Sequence, residues 1–226
     1  MILNAILSGG SPIEILQAIV FGAIAVLLSI SVHEWAHAFV AYILGDKAQK
    51  AYGRMTLNPL RHLNPMGMIM FLLFGFGWAN PVMMDSRSFK KPKLGIILTA
   101  LAGSFANFLS GFIWLLIEVI LIVAFPDGGI FFTNVNTLLQ FIVLYNLSFG
   151  FFNLIPIPPL DGSKVVAELL PFKYKYKYLD IERYSMYIFL GLIIILNRFN
   201  FISMLTSSLM SFFLTVIGAL LGIIIF

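Results

Sequence analysis

The sequence predicts an all-α polytopic membrane protein, and three observations lead there. Its 226 residues are 60% hydrophobic and only 11% charged, with a mean hydropathy of +0.98. That is more apolar surface than a soluble core of this size needs. The apolar residues run in long blocks suited to helical spans, without the alternating segments of about ten residues that mark a membrane β-barrel. The cations fall between the blocks: of 14 Lys and Arg, four lie in 47–61, four in 87–93, five in 164–183, and Arg198 stands alone. Loops rich in Lys and Arg stay on the cytoplasmic side, so the net charge of +4 records topology rather than a nucleic-acid-binding face.

The first span reads as Pro12–Leu44, started by Ser11-Pro12 and stopped by Gly45-Asp46. It is longer than one crossing needs, so it tilts or its end projects. No Lys or Arg precedes Lys47, so the first stretch lacks the basic region of a secretory signal and is expected to remain in the mature chain. A turn-rich stretch follows, Asp46–Pro65, broken by Asn58-Pro59 and Asn64-Pro65. Met66–Trp78 is apolar but short and interrupted by Gly75 and Gly77. The basic loop Asp85–Lys93 leads into a second span, Leu94–Phe125. Pro126-Asp127-Gly128-Gly129 carries no Lys or Arg, as a turn on the outer side should.

A third span, Val135–Ile155, ends at Pro156, Pro158 and Pro159. Asn146-Leu147-Ser148 matches a glycosylation sequon but lies inside this span and is set aside. After Asp161-Gly162 comes a short amphipathic stretch. The Lys/Tyr alternation Lys173–Tyr178 then suits a lipid interface, with rings at headgroup depth and ammonium groups toward anionic lipid. Ser185–Leu196 and Phe201–Phe226 close the chain as a hairpin. One membrane-embedded domain over 1–226 is expected, with a core at 12–170 and an accessory hairpin at 185–226.

Charge parity constrains the path. The first span ends at a basic loop and the second begins at one, so Met66–Trp78 cannot cross once between them. A re-entrant hairpin satisfies both loops, and such backbone is tolerated only when buried in protein or lining a wet cavity. Around Met66–Val82 it could present a β-like edge to an extended peptide. The expectation is therefore about five transmembrane helices plus this hairpin, with the N-terminus outside and the C-terminus inside.

His33-Glu34-Trp35-Ala36-His37 lies within the first span. On a helix, HExxH sets two imidazoles four residues apart on one face, where both reach one zinc ion, and the Glu can take a proton from water activated there. Ionisable groups are costly in hydrocarbon, so three on adjacent turns need a shared reason, and a metal supplies one. A catalytic zinc takes three protein ligands and keeps a position open. No cysteine is present, leaving His62, Asp46, Asp85, Glu118, Asp127, Asp161 and Glu168 as candidates for the third. Asp127 lies on the opposite face, and Asp46 and Asp85 have ordinary solvated roles open to them. Asp161 fits best: the prolines before it prevent a regular helix, and Gly162 permits a turn that aims the carboxylate. For His62 a solvated loop position is the leading reading, ahead of a metal-related role.

With these residues in view, the chain resembles the site-2 protease family of intramembrane zinc metalloproteases, in a compact bacterial form without PDZ or CBS domains. The resemblance rests on the HEWAH motif, on Gly53–Pro59 and Gly77-Trp78-Ala79 after it, on the small-residue element Ala102–Asn107, and on Phe152–Leu154 through Leu160-Asp161-Gly162. It implies one zinc per chain on His33, His37 and Asp161, with Glu34 as general base and acid. Asn107 would contact the metal region or the transition state, or simply tie helices together. Asn153 would bind substrate backbone or cap a broken helix. The substrate implied is the transmembrane helix of a single-span protein, cut in or near the bilayer in regulated intramembrane proteolysis. The location implied is a bacterial cell membrane, with the site toward the cytoplasm. Ser104, Ser163, Asn64 and Asn80 depart from residues frequent in the family, without touching a proposed ligand. A metal-ion transporter using the same His/Glu/Asp cluster is the alternative, weakened because only Glu118 extends the cluster along a path.

Overall fold

A computed structural model describes residues 11–74, 80 and 85–223. The helix α1 spans Pro12–Leu44, as the sequence indicates. Ser11 and Glu14 close a reciprocal capping box at its start: the Ser11 hydroxyl accepts from the Glu14 N–H, and the Glu14 carboxylate accepts from the Ser11 N–H. Then follow α2 (Ala48–Ala51), α3 (Pro65–Phe74), α4 (Pro92–Ala124), α5 (Gly129–Asn153), α6 (Asp161–Leu169), α7 (Phe172–Leu179), α8 (Ser185–Phe199) and α9 (Phe201–Leu221). Helix α5 begins earlier than the apolar run suggests. Before Val135 it already carries Thr133 and Asn134, and Asn134 Oδ1 accepts from Gln17 Nε2 of α1 at 2.8 Å.

The chain is an integral, all-α polytopic membrane protein. Four described helices, α1, α4, α5 and α9, are long and apolar enough to cross a bilayer. The expected fifth crossing falls short: α8 has 15 residues, about 22 Å of helix against a hydrocarbon core of about 30 Å. The stretch after the HExxH helix does return on itself. The Asn80 N–H donates to the His62 carbonyl at 2.8 Å, Asn80 Nδ2 donates to the Leu63 carbonyl at 2.7 Å, and Asn64 Nδ2 donates to Asn80 Oδ1 at 3.1 Å. Residues 62–64 and residue 80 are therefore neighbours. The described arm of this stretch, α3, is helical where a β-like edge was expected, and residues 75–79 and 81–84 lie outside the described residues. The Lys/Tyr alternation also forms a helix, α7. It is held to the chain before it by Lys175 Nζ on Glu168 Oε1 at 2.5 Å and by the Tyr178 hydroxyl on the Pro156 carbonyl at 2.7 Å.

Helices α1, α4 and α5 pack against one another, and α9 lies on α4 and α5. Ile13, Leu16, Val20, Phe105, Leu109 and Ile113 face outward, while Ser29, Ser31, Thr99, Asn107 and Asn146 are buried. Polar inside and apolar outside is the arrangement lipid requires, because an unsatisfied polar group in hydrocarbon costs several kcal/mol, roughly, and must find its partner within the protein. One half of the bundle is filled by Leu115, Val119, Val143, Leu147 and Ile217. The other half holds the polar cluster.

Candidate metal centre

The helical period places His33 and His37 on one face of α1, both turned toward α4 and the start of α6. His33 Nε2 lies 3.0 Å and His37 Nε2 2.9 Å from Asp161 Oδ2, and the two nitrogens are 2.9 Å apart. Among the described residues these three side chains form a buried group able to hold a metal ion. Bond lengths of about 2.05 Å around a tetrahedral zinc put ligand atoms about 3.3 Å apart, so the triangle is within a few tenths of an ångström of that figure.

The far side of each ring shows why the triangle suits a cation. His37 Nδ1 lies 2.6 Å from the Thr99 carbonyl, which can only accept, so Nδ1 carries the hydrogen. His33 Nδ1 lies 2.8 Å from Asn107 Oδ1. The Asn107 amide is oriented in turn: its Nδ2 donates to the Ser29 carbonyl at 3.0 Å and to Asn146 Oδ1 at 3.1 Å. Asn146 is itself oriented by donating its Nδ2 to the Ile142 carbonyl at 2.8 Å. With Nδ1 holding a hydrogen, each imidazole in its neutral form directs the Nε2 lone pair inward, beside a carboxylate oxygen. Three bare acceptors at this spacing repel unless a positive ion lies between them. The residues present fit zinc.

Backbone packing brings the elements close enough. A Cβ added at Gly103 of α4 would lie 2.5 Å from both His33 Cε1 and His37 Nε2, so only glycine lets α4 approach the rings. Asp161 arrives on the first turn of α6, after the proline-rich loop. Gly162 serves it by close approach rather than by a turn: the residue is helical, and a Cβ there would collide with the Leu154 and Ile155 carbonyls. Asp161 Oδ1 accepts from Lys164 Nζ at 2.8 Å, and the Phe149 ring meets His33 edge to face at 4.9 Å. Glu34 is buried on the same turn of α1 as the two histidines.

The remaining candidates lie elsewhere. Glu118 is eleven residues beyond Asn107 on α4, about 16 Å along the axis, and is hydrogen-bonded to Gln140. Glu168 is paired with Lys175, and Asp127 is exposed in the turn between α4 and α5. Asp85 pairs with Arg87 at 3.1 Å, a hydrogen bond that holds its carboxyl below the usual carboxylate range. Two solvated readings fail. Asp46 is fully buried and accepts from the Ala48 and Asp85 N–H groups at 3.0 and 3.1 Å, binding the end of α1 to the loop before α4. His62 is fully buried as well, its Nε2 2.8 Å from the Thr56 carbonyl. Asn153 donates to the Phe149 carbonyl of its own helix at 3.0 Å. Asn146, Thr99 and Lys164 are the site residues that sequence reasoning passed over. A polar Asn146 in mid-span was a usable signal, whereas Thr99 contributes a main-chain oxygen that no side chain announces.

The profile of peptidase family M50 matches residues 116–196. Over 172 residues the chain is 38% identical to the Bacillus subtilis (strain 168) protein named "Putative zinc metalloprotease YwhC", covering 76% of this chain and 78% of that relative. The chain belongs to peptidase family M50, the site-2 protease family. This M50 peptidase is also 30% identical over 191 residues to "Zinc metalloprotease MJ0392" of Methanocaldococcus jannaschii, across 84% of this chain but 45% of that relative. No solved structure matches it. As an M50 member it is a membrane zinc metalloprotease.

Proposed function

We propose that the protein hydrolyses peptide bonds in or near the transmembrane segment of single-span membrane proteins, as a regulated intramembrane protease. The observation that carries this reading is the convergence of His33 Nε2, His37 Nε2 and Asp161 Oδ2 inside a helical bundle, with Glu34 on the same turn. His33, His37 and Asp161 would hold the zinc. When bound, zinc supplies the Lewis acidity that makes water reactive near neutral pH and polarises a peptide carbonyl. Glu34 accepts the proton of the attacking water as the bond to the scissile carbon forms, and returns it to the amine that leaves. Asn107 acts on this chemistry by holding the His33 ring rather than by touching the peptide. Asn153 caps the end of α5.

The same reading puts the site toward the cytoplasmic side of a bacterial cell membrane. Supporting it, Asp161 opens a stretch that carries Lys164, Lys173, Lys175, Lys177 and Arg183, the charge excess of a cytoplasmic segment. A substrate helix has satisfied its own backbone and must unwind locally before a carbonyl is accessible.

The test uses purified protein with a panel of single-span substrates, comparing the parent, Glu34→Gln and chelator-treated protein. Cleavage by the parent that falls by about 10²–10⁴-fold in Glu34→Gln and vanishes with chelator is the expected result. Metal flux that survives Glu34→Gln, with no cleavage by the parent, would mean transport instead.

A further inference from the structure

The two oxygens of Asp161 are committed to different partners. Oδ2 faces both imidazoles, while Oδ1 accepts a hydrogen bond from Lys164 Nζ at 2.8 Å. Lys164 stands three residues further along α6, and its side chain is 37% exposed against 9% for that of Asp161. The ammonium therefore bridges a buried carboxylate and the open side of the site. A lysine that merely marked topology would extend into water, and the closely set Lys173 and Lys177 are exposed in that way. Lys164 instead spends its charge on a nearly buried oxygen, in the short, charge-assisted geometry that makes such bonds strong.

A carboxylate can bind a metal through one oxygen or two. Both Asp161 oxygens sit on one rotatable group, and a divalent cation beside Oδ2 also attracts Oδ1. A second oxygen would add a fifth ligand and crowd the position that a catalytic zinc must keep open for water. Something has to hold Oδ1 away, and the contact that does so here is the lysine ammonium. Gly162, packed on the Leu154 and Ile155 carbonyls, fixes the backbone but leaves the carboxylate rotation free. We propose that Lys164 is a positioning residue that restricts Asp161 to one-oxygen ligation and so keeps the fourth metal position vacant for the reaction. The proposal rests on the reading of His33, His37 and Asp161 as the zinc ligands.

The test uses the full chain, stripped of metal and loaded with cobalt(II), whose visible absorption weakens as coordination rises from four to five. Four proteins are compared: the parent, Lys164→Met, Lys164→Arg and His33→Ala. Lys164→Met should bind close to one cobalt per chain with a visible band roughly half as intense as the parent's or less. Its kcat on a single-span substrate should fall with KM unchanged. Lys164→Arg, which keeps a cation and donor, should retain the parent band. Loss of cobalt from Lys164→Met overturns the proposal, because a freed second oxygen should not weaken metal binding. A parent-like band in Lys164→Met, or an equal change or loss of metal in both Lys164 variants, overturns it. Failure of the underlying ligand reading looks different: a parent that takes up no cobalt, or a His33→Ala variant that keeps the parent's band.

Discussion

Helices α4 and α5 are joined by two unlike seams. In one half, Leu115 and Val119 of α4 meet Val143 and Leu147 of α5, with Ile217 of α9 completing the cluster. In the other half the same helices are held, together with α1, by Asn107, Asn146, the Ser29 and Thr99 carbonyls and two imidazoles. In lipid the apolar seam gains little from leaving its solvent, so close packing has to hold it. The polar seam is directional: the Ile142 carbonyl orients Asn146, which orients Asn107, which fixes the His33 tautomer. An apolar seam loses stability by degrees. A polar seam loses the function of its last member when an earlier link is turned.

The largest effect that would sharpen this contrast comes from Gly103. Gly103→Val should impose about 3 kcal/mol or more of overpacking on the two imidazoles, lowering metal affinity by upwards of ~100-fold. Metal analysis after dialysis against a buffered chelator measures it. Near-parent metal content would mean that α4 can back away from the rings. Next is Asn107→Leu, which frees the His33 ring and should weaken metal binding by about 10–100-fold, the usual cost of removing a partner of a ligating histidine. Competition with a chromophoric chelator reads that loss.

In the apolar seam, Leu147→Ala should cost about 2–4 kcal/mol of stability, seen as a lower unfolding temperature in detergent, with metal affinity unchanged. A matched loss of metal affinity would show that the two seams are one unit and break the comparison. The smallest effect belongs to Glu118, the polar exception in the apolar half. Glu118→Leu removes its hydrogen bond to Gln140 and should shift stability by only about 0.6 kcal/mol, the average for such bonds between membrane helices. Placed beside Asn107→Leu, it separates what a buried hydrogen bond contributes to folding from what it contributes by orienting a ligand.

Much of this was legible in the primary structure, because lipid and metal leave strong local signatures. Ser11, Pro12 and Gly45 bound α1 through their own backbone chemistry, and HExxH needs only the helical period to face two rings one way. The pairing of Asp161 with those rings was readable too, since an acid after three prolines in an apolar setting has few other uses. The limits of reading were physical. The Lys173–Tyr178 alternation reads as an interface element but does not show the helix α7, whose bonds to Glu168 and Pro156 reach outside the alternating stretch. His62 and Asp46 look like loop residues, yet each is met by a residue distant in the chain: Asn80 donates to the His62 carbonyl and Asp85 to the Asp46 carboxylate.

What the sequence determined by itself was the solvent, the all-α class and the three side chains, His33, His37 and Asp161, that meet in a group able to hold a metal. Each of these is a property of composition, of spacing along one helix or of a single short motif. Only the tertiary structure decided which hydrogen each imidazole keeps, which oxygen of Asp161 faces inward and why position 103 must be glycine. Those outcomes depend on distances of about 3 Å between residues far apart in the chain, and hydrogen bonds and steric contacts act only at that range.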